Sequence, residues 1–201
     1  FLESEIAAVL QEGVRSKSVE MIHARSLMAI DRNEDARRAL LGTIEAFGGD
    51  KWLHYYLATV SEELDDADGT EKHLRAALEF DPNDADVLNF LGYHLADHDK
   101  KIPEARELIE RALQIDPGNG FYLDSLGWVD YRLGRGKEAV DNIRRAIRAM
   151  NSDDAVLRDH LGDAYLLSGD TDKAIREWQR ALRLDPKIEG VAEKIQKHAH
   201  E

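Results

Sequence analysis

The chain has no cysteine, so neither a disulfide framework nor thiol chemistry is open to it. That leaves the compartment undecided, since cysteine-free domains suit the cytosol and the periplasm equally. Proline is scarce at 4 residues and glycine modest at 14 of 201. Alanine, leucine, aspartate, glutamate and arginine dominate instead, which favours helices. No apolar run is long enough to cross a bilayer, and no stretch reads as a secretion signal. Bases are outnumbered: 27 Lys and Arg against 40 Asp and Glu give a net charge of −13. An acidic chain without a basic face is a poor ligand for nucleic acid or an anionic membrane. A phosphate-cradling glycine loop and a nucleophile elbow are also missing, and no pair of acids stands apart from ordinary helix surface. Nothing points to a catalytic centre or a cofactor. The chain begins at Phe1 rather than methionine and reads as part of something longer.

What the chain does have is repetition. Leu57-Ala58, Leu91-Gly92, Leu126-Gly127 and Leu161-Gly162 recur at spacings of 34, 35 and 35. An alanine follows each about twenty residues on, at Ala77, Ala112, Ala146 and Ala181. Asp81-Pro82, Asp116-Pro117 and Asp185-Pro186 close three units, with Met150-Asn151 in the remaining slot. Within 85–119, Leu88, Leu91, Gly92 and Leu95 fall on one stripe of a first helix. Ala105, Leu108, Ile109 and Ala112 form the stripe of a second, and Pro117 stops it. Small residues on these stripes let backbones approach closely.

This pattern resembles the tetratricopeptide repeat over residues 17–186. The resemblance implies an all-α, right-handed superhelical solenoid of helix–turn–helix units. The units expected are 17–50 (degenerate), 51–84, 85–119, 120–154 and 155–188. Residues 1–16 fit only as the second helix of a truncated unit, and 189–201 as a terminal capping helix. Leu2, Ile6, Val9 and Leu10 mark an apolar side of that first segment, so self-association through residues 2–14 is expected. A narrower resemblance lies in LGY at 91–93, SLGW at 125–128 and DHLGDAY at 159–165. These are similar to Gram-negative periplasmic outer-membrane lipoproteins that act as adaptors for carboxyl-terminal processing proteases. The lipid-bearing cysteine of such a lipoprotein would then lie in a preceding part of the protein.

In such arrays one stripe of each first helix packs inward. The stripe one residue on, turned by about 100°, faces the concave side. The residues expected to contact a protein or peptide partner there are Trp52, Tyr55, Asn89, Tyr93, Asp124, Trp128, Tyr131 and Arg132. Trp128 and Tyr93 serve equally as anchors or as packing between units, and Phe121 reads as packing. Tyr131 also stands beside Asp130, which fills the slot of a family tyrosine. A Lys/Asn/Arg clamp for acidic chaperone termini does not fit, because Asp124, Asp159 and Asp163 would repel a carboxylate. His94 and His98, four apart with Asp97 and Asp99 beside them, have metal-ligand spacing, but no third ligand is placed. They read as a solvated helix end, and no metal is assigned. The expected role is a non-catalytic protein-binding scaffold. The alternatives are the periplasmic adaptor, outer-membrane anchored in full length, and the repeat portion of a larger enzyme.

Overall fold

The structure is a computed structural model that describes residues 16–151 and 153–198. The expected helix over 2–14, and the self-association assigned to it, lie outside these residues. Among the described residues there are eleven helices and no strand. They are α1 (Lys17–Met28), α2 (Asn33–Phe47), α3 (Lys51–Glu63), α4 (Ala67–Phe80), α5 (Ala85–Asp97), α6 (Ile102–Ile115), α7 (Gly120–Arg132), α8 (Gly136–Met150), α9 (Ala155–Leu167), α10 (Thr171–Leu184) and α11 (Val191–His198). None of them is long and apolar enough to cross a membrane.

The chain divides into two compact units, Phe1–Val87 and Leu88–Glu201. In the first, α1 pairs with α2 and α3 with α4. Ala24, Leu27, Ala36, Leu40, Leu53, Leu57 and Val60 form its core. Full burial of a leucine such as Leu40 or Leu53 stabilises by about 1.5–3 kcal/mol before entropy. The helix starts are fixed by side chains that accept orphan backbone N–H groups: Ser16 for α1, Asp50 for α3 and Asp66 for α4.

In the second unit α7 pairs with α8 and α9 with α10. Leu123, Ala139, Ile143, Leu157, Leu161 and Ala164 form one core cluster; Ala174, Trp178, Ala181 and Val191 form the last. The recurring glycine of the Leu-Gly pair is steric. A Cβ on Gly162 would stand 2.4 Å from the Trp178 ring, and one on Gly127 would stand 2.5 Å from Ile143 Cγ1. Each turn between paired helices carries a left-handed residue at the matching place, Asp31, Asp65, Asp99, Gly134 and Gly169, and the turn between α5 and α6 has a second at Lys101. Asn151, also left-handed, ends α8 where other units use Asp-Pro.

Asp130 is buried, and its role is structural. Arg106 of α6 and Asn142 of α8 (2.9 Å) both donate to it, which ties three helices together. Burial raises its pKa, and the arginine works against that. Val191 seats α11 on the last core cluster. From α11, Lys194 reaches back to Asp159 (2.7 Å) and Asp163 (2.8 Å) on α9.

Candidate functional site

In the second unit the first-helix stripe is largely occupied by its own side chains. Trp128 of α7 lies between Tyr131, at 5.0 Å and 19°, and His160 of α9, at 4.7 Å and 24°. The Arg132 guanidinium sits 5.6 Å from the Trp128 ring centroid. Arg132 also donates to the Asp97 carbonyl at 3.0 Å and pairs with Asp99, so it is anchored rather than free. Asp124 is half-buried against His160 Nδ1 at 3.0 Å. His160 is itself buried. Burial opposes its proton, but Asp124, with Asp159 and Asp163, more than offsets that and raises the pKa.

Asp163 accepts from Trp178 Nε1 at 3.1 Å as well as from Lys194. Tyr93 and Asn89 are half-buried on α5. The Oδ1 of Asn89 and the Nε1 of Trp128 are buried and have no hydrogen-bond partner. Phe121 and Val156, near the starts of α7 and α9, are 65% and 50% exposed.

In the first unit Trp52 is 51% exposed at the corresponding place in α3. Its ring meets Tyr55 edge-on at 6.3 Å, with Lys51 Nζ 4.7 Å from its centroid. Lys51 is held by Asp84 at 2.7 Å and Asp81 at 3.1 Å. Tyr55 is half-buried, and burial raises its pKa, with Asp86 and Asp84 adding to the shift.

The structure therefore brings Asp124, Trp128, Tyr131 and Arg132 into one stacked, ion-paired cluster. Trp52 and Tyr55 form a separate aromatic pair in the first unit. Two expectations are corrected. Phe121, assigned to packing, is instead the most exposed of the large apolar side chains on the stripe, because its position in the first turn of α7 lies ahead of the close contact with α9. His94, read as solvated, is fully buried; its ring lies 4.3 Å from that of His98, whose Nδ1 bonds the His94 carbonyl at 3.0 Å. Among the described residues no three metal-binding side chains converge.

Sequence reasoning missed His160 and Lys194. A signal exists for Lys194, which stands one period of 35 after Asp159, as Arg132 stands 35 after Asp97; His160 stands 36 after its partner Asp124. Opposite charges at that spacing belong to stacked neighbours.

Comparison with known proteins fits this geometry. Two tetratricopeptide-repeat profiles match, over residues 64–120 and 156–188. The TPR repeat-containing protein PA4667 of Pseudomonas aeruginosa is 34% identical over 143 residues. The chain belongs to the tetratricopeptide repeat family. The match covers 71% of this repeat chain and 24% of that relative, so the chain spans about a quarter of the relative's length.

Among solved structures, the thermophilic TPR protein TTC0263 of Thermus thermophilus superposes with a TM-score of 0.73 at 17% identity, covering 92% of this chain and 100% of that one. The type IV pilus biogenesis factor PilW gives 0.77 at 15%, covering 92% and 90%. The APC/C hetero-tetramer Cut9-Hcn1 gives 0.82 at 15%, covering 98% of this chain and 39% of the matched one. At these identities the likeness is one of fold, an all-α helix–turn–helix solenoid.

Proposed function

We propose that the chain is a non-catalytic scaffold that holds a protein segment against its first-helix stripe, the concave side of a tetratricopeptide array. The observation that carries this reading is the exposure of large apolar side chains at one register: Trp52 in the first unit, Phe121 and Val156 in the second. Exposed aromatics bury much area with few rotors, and so make good anchors. The stacked residues behind them serve as a rigid floor. Asn89 Oδ1 and Trp128 Nε1 add to the case. An unsatisfied buried polar atom costs about 1–3 kcal/mol, and a peptide backbone, with one donor and one acceptor per residue, satisfies both once admitted.

The test is capture by the full-length protein with quantitative mass spectrometry, comparing wild type with Phe121→Ser and Val156→Ser. Each should weaken the specific partner's binding by about 1–3 kcal/mol, the range for aromatic and aliphatic anchors. Circular dichroism should be unchanged, because neither side chain is in the core. Lys137→Ser, on the exposed side of α8, is the control. If Lys137→Ser abolishes capture and the two stripe variants do not, the binding face is wrongly assigned.

A second reading, the periplasmic adaptor for a processing protease, rests on the LGY, SLGW and DHLGDAY segments. Recovery of a protease among the specifically captured proteins distinguishes it from a scaffold for other partners.

A further inference from the structure

Away from the first-helix stripe, two ligating side chains meet between the helices of one repeat. His54 on α3 and His73 on α4 bring their Nδ1 atoms to 3.1 Å, with ring centroids 5.4 Å apart and planes 28° apart. Phe80 stacks on His54 at 5.9 Å. Gly49 packs so closely that a Cβ there would lie 3.0 Å from His54 Nε2. His54 thus turns its Nε2 edge to Gly49 and its Nδ1 to His73.

Two imidazole nitrogens at this distance share a single hydrogen, and a second proton would set two cations together. Burial, with Lys72 adding to it for both rings and His54 for His73, holds the pair below the usual histidine range, His73 at about 4. Neutral imidazole is the form that ligates metal.

We propose that His54 and His73 form a two-nitrogen site for a borderline divalent transition-metal ion of the zinc and copper class. Nitrogens about 2.0–2.1 Å from a tetrahedral ion stand about 3.3–3.4 Å apart, so a few tenths of an ångström of opening accommodates it, once the hydrogen shared between the two Nδ1 atoms moves to the Nε2 of the ring that carries it. Imidazole suits this class of ion, and hard cations such as magnesium prefer oxygen. Carboxylates favour a cation here: Asp50 and Glu79 act on His54 and Asp66 on His73, opposed by Lys72. With no third side chain converging among the described residues, water completes the shell and the ion is exchangeable. It would cross-link α3 to α4.

The experiment is calorimetric titration of Zn2+ into the untagged chain at pH 7, with Cu2+ electron paramagnetic resonance to count nitrogen ligands. One Zn2+ should bind, raise the thermal midpoint and be displaced by chelator, and Cu2+ should show two nitrogens. His54→Gln and His73→Gln should each weaken Zn2+ by about tenfold or more, since losing even an outer-shell partner costs about 10–100-fold. His94→Gln and His98→Gln should leave it unchanged. Absence of uptake and of any midpoint shift in the wild type overturns the proposal without recourse to variants. So does binding that survives both the His54 and His73 changes, or that follows His94 and His98.

Discussion

His160 and His73 are buried to different degrees and answer pH in opposite directions. His160 gains Asp124 on folding, so its pKa rises above the unfolded value of about 6.5. Its contribution is full below that value and is lost as pH rises through the folded one. His73 gains burial, a second imidazole and the nearby Lys72, with Asp66 a smaller opposing charge, so its pKa falls to about 4. Its contribution is full above about 6.5 and is lost as pH falls from there toward 4. The first unit, which holds His73, should therefore be the acid-labile part of the chain. Between pH 6.5 and 4 the thermal midpoint of the wild type should drop more steeply than that of His73→Gln, which has no imidazole to charge. Carboxylates titrate in both proteins, so the difference between the two curves isolates the ring. Parallel curves would show that the His54–His73 contact costs nothing on protonation.

At the scale of the element, helices and turns were legible to different degrees. The stripes Leu53/Leu57 and Leu157/Leu161 announce helices because burial recurs every three or four residues, and the structure buries all four. The left-handed turn residue is harder to read, since Asp31, Asp65 and Asp99 fill it in the earlier units and Gly134 and Gly169 in the later ones. Only geometry unites them. The binding stripe is harder still, because its period marks a face without saying which neighbour reaches across it. Tyr93, Trp128 and Phe121 look alike in sequence, yet the imidazole of His160, supplied from another helix, covers Trp128 and leaves Phe121 open.

Two glycines separate the causes at work in these elements. Gly169 has φ 86° and nothing within 4 Å of the place a Cβ would occupy, so Gly169→Ala should cost about 1–2 kcal/mol through backbone strain alone. Gly162→Ala instead drives a methyl into the fully buried Trp178 ring and should cost about 1–3 kcal/mol through overpacking. Gly118→Ala, whose Cβ would meet only Asp116 Oδ1 at 3.9 Å, is the reference. Urea unfolding of the three measures this, and a Gly162→Ala as stable as Gly118→Ala would mean that α9 and α10 are in looser contact than the Gly162–Trp178 approach implies.

For the whole molecule the decisive quantity is charge. The net −13 is concentrated in residues 51–100, where 12 acids face 4 bases. Pairs such as Lys51 with Asp84, Arg158 with Asp153, and Lys194 with Asp159 and Asp163 consume bases that are already the minority. What remains is a surplus of carboxylate whose field attracts cations and repels polyanions. The exposed side chains proposed as anchors, Trp52, Phe121 and Val156, carry no charge. Approach and grip should therefore respond differently to salt. For a partner segment rich in Lys and Arg, the association rate should fall by about tenfold or more as salt rises from low to several hundred millimolar, because the field that steers it is screened within about 10 Å at 0.1 M. The dissociation rate, set by apolar burial, should hardly change. Surface plasmon resonance with the captured partner at two ionic strengths separates the two rates, with duplex DNA and anionic vesicles as analytes that should not be retained at either. A salt dependence carried by dissociation would make the grip ionic and move the anchors from the apolar residues to the acids around them.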